Sequence, residues 1–136
     1  MEIRSANADD LDAVVDLWHR EGGPTSLPGG ISEARALLRR DPDALLVARV
    51  DEAVVGSVIV GWDGWRCHLY RLVVEPRCRR SGVATGLVAE AKARAHASGA
   101  RKIDAMVNFS NEAAIAFWEG QQFDQDPRDG RWSFRF

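Results

Sequence analysis

A basic turn between a strand-like and a helix-like segment is the part of this sequence with the clearest capacity for chemistry. Residues 72–74 are aliphatic, and Pro76, which can donate no ladder hydrogen bond, ends the strand that they predict. Gly82 stands where the following helix should begin. The side chains that make the turn basic are those of Arg77, Arg79 and Arg80.

The start of that helix suits an anion such as a phosphate or a pyrophosphate. The first backbone N–H groups of a helix have no partner within it, and the aligned peptide dipoles place roughly half a positive charge there. Gly82 lets a ligand approach the backbone, and Ala84 adds little bulk. The turn matches neither the dinucleotide nor the P-loop fingerprint, so an ordinary loop with a solvated basic rim is the alternative.

Helical periodicity follows the turn and gives it a scaffold. Apolar residues recur at helical spacing on one stripe, which consists of Ala84, Leu87, Val88, Ala91 and Ala95. Gly99 suits a left-handed cap at the end of this helix, and residues 102–107 predict the next strand. The turn is therefore expected to join a strand to a long helix that packs on a sheet.

The centre of the chain predicts strands. Three β-prone runs, at 44–50, 53–62 and 65–74, are joined by the pairs Asp51-Glu52 and Asp63-Gly64, and the second pair is a good two-residue hairpin signal. Antiparallel strands followed by a helix and a further strand predict an α/β (α+β) fold, in which helices cover both faces of a mixed sheet.

The N-terminal segment predicts a short strand at 2–5 and two helices. Asn7 or Asp9 can cap the first helix, whose buried face is formed by Leu11, Val14, Val15 and Trp18. Ser32 can cap the second helix, whose buried residues are Ala34, Leu37 and Leu38. Residues 25–30 between them predict a loop.

The C-terminal segment predicts one more helix and a last strand. Asn111 is a good cap for the helix, and residues 131–136 alternate as a strand does. Alternation would place Trp132, Phe134 and Phe136 on one side of that strand. They are expected to be core residues, with the lining of a binding pocket as the alternative.

Composition limits the class of protein. A chain of 136 residues with 46% hydrophobic residues predicts one domain, spanning 1–136. No apolar or arginine-rich leader precedes Ile3, so a cytoplasmic protein is expected, with no membrane partner. Cys67 and Cys78 match no zinc or disulfide pattern, so we expect two reduced thiols and no metal. The net charge of -2 argues against nucleic acid as a partner.

Two motifs resemble those of the GNAT superfamily of N-acetyltransferases. Residues 79–84, RRSGVA, resemble its [QR]-x-x-G-x-[GA] signature, and residues 111–118, NEAAIAFW, resemble its N-x-x-A-x-x-x-Y helix. Their order and spacing agree with the family, and the likeness covers nearly the whole chain. Within the superfamily, residues 55–64 are most similar to small YpeA-type bacterial members.

The resemblance implies a fold and a cosubstrate. The fold would be a mixed sheet of six to seven strands with about four helices, in which two central parallel strands splay apart. Acetyl-CoA would place its pantetheine arm in the gap, pairing with the backbone like an added strand. The residues implied to contact it are Leu72, Val73, Val74, Arg79, Arg80, Ser81, Gly82, Val83, Ala84, Thr85, Asn111 and Trp118.

The sequence departs from the family where the acid and the base are expected. Trp118 replaces the general-acid tyrosine, and its indole N–H is no practical acid near neutral pH. Met106 replaces the base of the ribosomal-protein-acetylating branch, and Gln122 stands where a glycine is usual.

Substitutes for the acid and the base are therefore sought on the central strand. His68 corresponds to a strand glutamate in histone-acetylating members, and alternation puts it on one face with Tyr70, Leu72 and Val74. We expect His68 or Glu75 as base and Tyr70 as proton donor. The alternatives are an exposed hairpin histidine, a half-buried strand tyrosine, and a glutamate that pairs with Arg77 or Arg79. If none of the three acts, solvent could take the proton, because a coenzyme A thiolate is a tolerable leaving group.

Several functional readings follow. The first is an acetyl-CoA-dependent N-acetyltransferase that acts on a primary amine of a small molecule or peptide by direct attack. The second is a silent acyl-CoA-binding module, which the change to Trp118 makes credible. A nucleic-acid or partner-docking domain that uses the arginines is a third, and net charge weighs against it.

In the family, the segment that contains the first two helices lies over the acceptor site. The resemblance therefore implies that Trp18, His19 and Leu27 lie on the acceptor side. The aromatic tail would permit a homodimer.

Overall fold

The computed structural model describes residues 1–23 and 29–136. Its strands are β1 (Glu2–Ser5), β2 (Leu45–Val50), β3 (Ala53–Trp62), β4 (Cys67–Val74) and β5 (Ile103–Ala105). Its helices are α1 (Leu11–Glu21), α2 (Ile31–Arg40), α3 (Val83–Ala97) and α4 (Glu112–Gly120), with short 3-10 turns at Ala8–Asp10 and Pro76–Cys78.

The strands form one mixed sheet, which confirms the predicted fold class. Its order is β1-β2-β3-β4-β5, and every neighbouring pair is antiparallel except β4 and β5, which are parallel. Five strands are present among the described residues, fewer than the six to seven expected. The difference includes the predicted last strand, since residues 131–136 have no regular secondary structure.

Chain contacts divide the protein into two compact units, Met1–Met106 and Val107–Phe136. The first contains the whole sheet with α1, α2 and α3, and the second contains α4 and the tail. The single domain expected for 1–136 stays a prediction.

Helices cover both faces of the sheet in the first unit. On one face, α1 and α2 bury an apolar cluster that includes Leu17, Trp18, Val47, Ile59 and Val73. Burying each large side chain of this kind contributes about 1.5–3 kcal/mol to folding. All the α1 residues predicted to be buried are buried, and Trp18 is a core residue.

The other face packs against α3, and two glycines permit the close approach. A Cβ at Gly56 of β3 would lie 2.9 Å from Val83 Cγ1 and 3.1 Å from Leu87 Cδ1. A Cβ at Gly86 of α3 would lie 2.8 Å from Ile3 Cδ1 in β1. The buried residues of α3 are Val83, Leu87, Val88, Ala91 and Ala95, which is the predicted stripe except that Ala84 is half-buried.

Several turns differ from the sequence prediction for local reasons. The β3–β4 connection is longer than two residues, because the Asp63 carboxylate accepts hydrogen bonds from the N–H groups of Trp65 and Arg66 at 2.8 and 2.7 Å. Helix α2 begins one residue before Ser32, with Gly30 as its cap residue, and Glu33 accepts from the Gly30 N–H at 3.2 Å. The Asn7 cap is confirmed, and it opens a 3-10 turn ahead of α1.

The second unit has a capped helix and an exposed aromatic tail. Asn111 accepts from the Ala114 N–H at 3.0 Å, so the predicted cap is confirmed. Core positions for Trp132, Phe134 and Phe136 were a wrong prediction, because these residues are 97%, 84% and 117% exposed. Alternation predicts a strand only where a neighbouring strand accepts its hydrogen bonds, and residues 131–136 form no ladder.

The close approach at Gly56 leads to a stability prediction. Gly56→Val should lower the free energy of unfolding by about 1–3 kcal/mol, because α3 must move away from β3 to admit the side chain. Urea unfolding followed by circular dichroism measures the change. Gly120→Ala is the matched control, since a Cβ there meets nothing within 4 Å. Equal stability of both variants would show that α3 does not pack tightly on β3.

Candidate functional site

Strand β4 loses one neighbour halfway along its length. Its parallel pairing with β5 covers only Cys67, His68 and Leu69, whereas β3 accompanies it on the other side as far as Val74. Strand β5 itself ends at Ala105, shorter than the predicted 102–107. The parallel pairing therefore stops after Leu69, and residues 70–74 of β4 have no β5 partner on that edge.

A bulge in β4 changes which side chains share a face. Ser57 of β3 pairs with Val73 and Ile59 pairs with Tyr70, so Arg71 and Leu72 together oppose the single residue between them. Arg71 has φ 55°, in the left-handed region. This backbone angle is disfavoured for a side chain of this size and marks the bulge.

The predicted common face of His68, Tyr70, Leu72 and Val74 is wrong beyond the bulge. Because cross-strand partners share a face, His68 and Tyr70 lie on the α1–α2 face, and Val73 joins them there. Val74 pairs with Gly56 and so lies on the α3 face. The extra residue in β4 shifts the alternation by one position.

A buried hydrogen-bond relay holds the bulge. The indole Nε1 of Trp18 donates to Ser57 Oγ at 2.8 Å, and Ser57 Oγ donates to the carbonyl oxygen of Arg71 at 2.9 Å. Ser57 has no exposed surface. The sequence predictions include neither this relay nor a role for Arg71. The available signal was an arginine in β4 at a position that simple alternation turns toward the core with Leu69 and Val73.

The turn between β4 and α3 has the geometry expected of an anion-binding helix start. Gly82 precedes α3 with φ 86°, it has no side chain to cap the first turn, and a Cβ there would meet nothing within 4 Å. Arg80 is also left-handed, at φ 62°. Ser81 Oγ donates to the Cys78 carbonyl, and Arg79 bonds Glu21 at 3.4 Å.

The residues predicted to bind the cosubstrate fall into two groups. Those of the first unit follow one another along β4, the turn and the start of α3, and comprise Leu72, Val73, Val74, Arg79, Arg80, Ser81, Gly82, Val83, Ala84 and Thr85. The side chains of Val73 and Val83 are buried, so only their backbone groups are available. Asn111 and Trp118 belong to the second unit, where Trp118 packs edge-on against Phe117 and Phe123.

His68 and Tyr70 are exposed neighbours on the α1–α2 face. The Tyr70 ring lies beside Gly61, where a Cβ would be 3.3 Å from Tyr70 Cε1 and 3.8 Å from its hydroxyl. Burial of the ring raises the pKa of Tyr70, so its hydroxyl keeps its proton near neutral pH. Tyr70 can therefore donate a hydrogen bond or a proton, and His68 is a side chain of the type that accepts one.

Glu75 is held as an ion pair. Both of its carboxylate oxygens accept from Arg20, each at 3.2 Å, which lowers the pKa of Glu75. A carboxylate stabilised in its charged form is a weak base. The predicted partners Arg77 and Arg79 are not the ones that bond it, since Arg20 of α1 takes that place and Arg79 bonds Glu21.

His19, Cys67 and Cys78 lie in the first unit. His19 Nε2 lies 3.2 Å from the Gly29 carbonyl oxygen, and Leu27 lies outside the described residues. Cys67 and Cys78 are both free, as expected, and burial raises the pKa of the Cys67 thiol.

Among residues 1–23 and 29–136, no helix combines the length and apolar character that crossing a membrane requires. In the same ranges no three histidine, cysteine, aspartate or glutamate side chains are grouped to hold a metal ion.

A protein-family profile and a related protein each match most of this chain. The sequence profile of the acetyltransferase (GNAT) family matches residues 11–123. An acetyltransferase of Pectobacterium atrosepticum is 36% identical over 124 residues, which are 91% of this chain and 88% of that protein.

Two solved structures share the fold. Ard1 from Thermoplasma volcanium superposes with a TM-score of 0.79 at 20% identity, covering 90% of this chain and 82% of that one. A ribosomal-protein-alanine N-acetyltransferase from Brucella melitensis has a TM-score of 0.77 at 23% identity, covering 91% and 85%. At these identities the likeness concerns the fold.

The ion pair of Glu75 predicts a pH dependence of stability. Because the folded-state pKa of Glu75 lies below its ordinary value of 4.5, the pair stabilises the protein above that pH, and this contribution is lost as the pH falls through the lowered pKa. Glu75→Gln should therefore be less stable than the wild type at neutral pH, and the difference should shrink on acidification. Urea unfolding at several pH values measures it.

The control for this experiment is Glu119→Gln, which removes an exposed carboxylate of α4. Its stability difference from the wild type should be small and should not follow the same pH profile. A Glu75→Gln difference that stays constant down to about pH 3 would contradict the pairing with Arg20.

Proposed function

The chain belongs to the acetyltransferase (GNAT) family, and we propose that it transfers the acetyl group of acetyl-CoA to a primary amine. The observation that carries the proposal is the open edge of β4 leading directly, through the turn at residues 75–82, to the start of α3. One continuous stretch thus offers strand backbone and a helix start, which match the two chemically different parts of coenzyme A. The family is one of transferases, and the N-acetyl specificity is part of the proposal.

The backbone of β4 suits the pantetheine arm. An extended chain that carries amide groups can add to an open strand edge and form ladder hydrogen bonds. Residues 70–74 offer such an edge where β5 has ended. We assign the pantetheine contact to Leu72, Val73 and Val74. Their main-chain groups serve the purpose even where, as at Val73, the side chain is buried.

The start of α3 suits the pyrophosphate. The space around Gly82 is open to 4 Å, and the helix dipole favours negative charge there. Arg80 and Arg77 are exposed and add positive charge to the rim. We assign the phosphate contacts to Arg79, Arg80, Ser81, Gly82, Val83, Ala84 and Thr85. From the family resemblance we also assign Asn111 and Trp118 to the cosubstrate arm.

The reaction is proposed as a direct attack of the amine on the thioester within a ternary complex. Holding the two reactants in contact can supply about 7 kcal/mol or more of the barrier. A backbone N–H near Val74 would stabilise the oxygen of the thioester as negative charge develops on it. The amine loses a proton, and the departing thiolate gains one.

His68 and Tyr70 are the proposed base and acid. Both lie on the α1–α2 face at the point where β4 becomes open, and both are exposed to a ligand. Tyr70 carries a proton near neutral pH that it can donate to the thiolate, although burial raises its pKa and so makes it a weaker acid. Glu75 stays a candidate base from the sequence, but its pairing with Arg20 makes it a weaker one than His68.

A silent acyl-CoA-binding protein is the second candidate function. It is favoured by the absence of the family's acid and base from their usual positions. Trp118 instead packs among aromatic rings, and Met106 is 56% exposed. Measuring turnover over a panel of amines, beside calorimetry of coenzyme A binding, separates the two functions. Binding without any turnover would establish the second.

The acceptor and the other partners are proposed as the sequence predicts them. The acceptor is proposed to be a small molecule or a peptide, and no nucleic acid or membrane partner is proposed. The relative from Brucella melitensis is named for acting on a ribosomal-protein alanine, which is one example of a peptide amine. A cytoplasmic location and a homodimer formed through the tail also stay predictions.

Gly82→Glu should abolish coenzyme A binding. It places negative charge and bulk at the helix start, and the affinity should fall at least about 100-fold through loss of charge-assisted contacts. Isothermal calorimetry with coenzyme A measures it.

Gly99→Glu is the matched control for this variant. Gly99 has φ 99° and an equally open surrounding at the other end of α3. The control therefore carries the same new charge and a similar backbone cost of about 1–2 kcal/mol, away from the proposed pyrophosphate site. Coenzyme A affinity that is equal in both variants would refute the assignment of the turn.

His68→Ala should lower kcat near neutral pH by about 100-fold or more, the usual contribution of a general base, while coenzyme A affinity stays unchanged. The dependence of kcat on pH should also change, because the side chain proposed to accept the proton of the amine is gone. Steady-state kinetics against pH measure both effects. His96→Ala, which alters an exposed histidine of α3, is the control. An unchanged profile would remove His68 from the mechanism.

A further inference from the structure

Val74, the last residue of β4, turns its backbone N–H away from β3. The N–H of the next residue, Glu75, donates to the Val55 carbonyl oxygen of β3 at 2.8 Å. Successive residues of a strand direct their backbone groups to opposite edges. The N–H of Val74 therefore lies at the open edge of β4, where the thioester oxygen is proposed to bind.

The bulge in β4 is the cause of this direction. The N–H of Val60 in β3 donates to the Ala44 carbonyl oxygen at 2.7 Å, on the side away from β4. The neighbouring Ile59 therefore directs its backbone groups to β4, where Tyr70 is its partner. In a regular strand Val74, an even number of residues after Tyr70, would also direct its N–H to β3. The additional residue in the bulge reverses that direction.

The backbone of the bulge requires support from its surroundings. Arg71 is left-handed at φ 55°, a conformation that persists for a residue of this size only where the surrounding structure imposes it. Ser57 Oγ donates to the Arg71 carbonyl oxygen at 2.9 Å and accepts from the Trp18 indole N–H at 2.8 Å. Because Ser57 has no exposed surface, bulk water cannot replace either bond. The relay supplies the support that the bulge needs.

A serine is an unusual choice for this place in the core. Among residues 1–23 and 29–136, Asp10 and Ser57 are the two buried residues with polar side chains. Asp10 is compensated by an ion pair with Arg4 at 2.7 Å. Burial of the Ser57 hydroxyl is compensated through its two bonds, one of which exists only while β4 is bulged. The hydroxyl therefore favours the bulged strand over the regular one.

We propose that Ser57 and Trp18 are positioning residues for acetyl transfer. Their relay keeps β4 bulged, and the bulge presents the Val74 N–H to the thioester oxygen of acetyl-CoA. This inference rests on the proposed function. Both side chains act through the backbone of β4, not by contact with the reacting atoms. An N–H whose direction is set in advance stabilises the developing negative charge without reorganisation during the reaction.

The first test measures the direction of the two N–H groups without any ligand. In hydrogen–deuterium exchange followed by NMR and corrected for intrinsic rates, the Val74 N–H of the wild type should exchange at least about 10-fold faster than the bonded Glu75 N–H. In Ser57→Ala, loss of the bulge should reverse this order. An unchanged order in a folded Ser57→Ala variant would overturn the inference.

Two further variants complete this test. Val88→Ala, the control, removes buried methyl groups of α3 and should lower stability while keeping the wild-type order of exchange. Trp18→Phe keeps an aromatic ring in the core, removes the indole donor and should narrow the difference between the two rates. Adding Trp18→Phe to Ser57→Ala should change nothing further, because the relay acts as a unit. If Ser57→Ala does not fold, an unchanged ratio of rates in Trp18→Phe overturns the inference.

The second test uses acetyl-CoA that is isotopically labelled at the carbonyl carbon. In infrared difference spectra, a hydrogen bond from the Val74 N–H should lower the stretching frequency of the bound thioester carbonyl in the wild type and in Val88→Ala. This shift should be lost in Ser57→Ala. The affinity for acetyl-CoA, measured by calorimetry, should fall roughly 3- to 10-fold in Ser57→Ala, the usual net value of one hydrogen bond.

The outcomes separate the inference from the proposed function. Equal frequency shifts in the wild type and in Ser57→Ala would overturn the inference and leave the acetyltransferase function in place. Absence of acetyl-CoA binding to the wild type would refute the proposed function and the inference with it. A shift that depends on Ser57, without turnover of any amine, would support the relay together with the silent acyl-CoA-binding function.

Discussion

The hydroxyl of Ser57 is the point on which the geometry of the central strand depends. It accepts from the indole of Trp18 and donates to the carbonyl of Arg71, and it has no exposed surface. A buried hydroxyl that makes both hydrogen bonds stabilises the fold. Leaving the indole N–H or the carbonyl oxygen without its partner would lower the free energy of unfolding by about 1–3 kcal/mol. Through these bonds α1 is tied to the bulge in β4, and the bulge decides which side chains reach each face.

The open edge of β4 and the start of α3 are brought together by close packing on the other face. Gly56 lets Val83 and Leu87 approach β3, and Gly86 lets α3 approach β1. The helix is therefore held near the sheet just after the turn that leaves β4. A strand edge and a helix start at a set separation can hold a long ligand at two points, which is the physical basis of the proposed cosubstrate site.

Charge is arranged locally rather than as a field over the whole protein. Around the turn, Arg20 bonds Glu75 and Arg79 bonds Glu21, so α1 is also connected to the segment that follows β4. Partly exposed pairs of this kind stabilise the protein modestly, and they also limit which carboxylates are available for catalysis. For that reason the chemistry is assigned to His68 and Tyr70 rather than to Glu75.

Local patterns in the sequence determined the family resemblance, the mixed sheet with helices on both faces, the start of α3 at Gly82 and the cap at Asn111. These features depend on residue type and spacing over a few positions, and such signals survive in the sequence. Only the tertiary structure decided the phase of β4 beyond Tyr70, the place of Arg71, and the failure of residues 131–136 to form a strand. A bulge depends on the partner strand and on the Trp18 and Ser57 side chains, and a last strand depends on a sheet edge that accepts it. Neither the partner strand nor the accepting sheet edge can be identified from the residues of the segment alone.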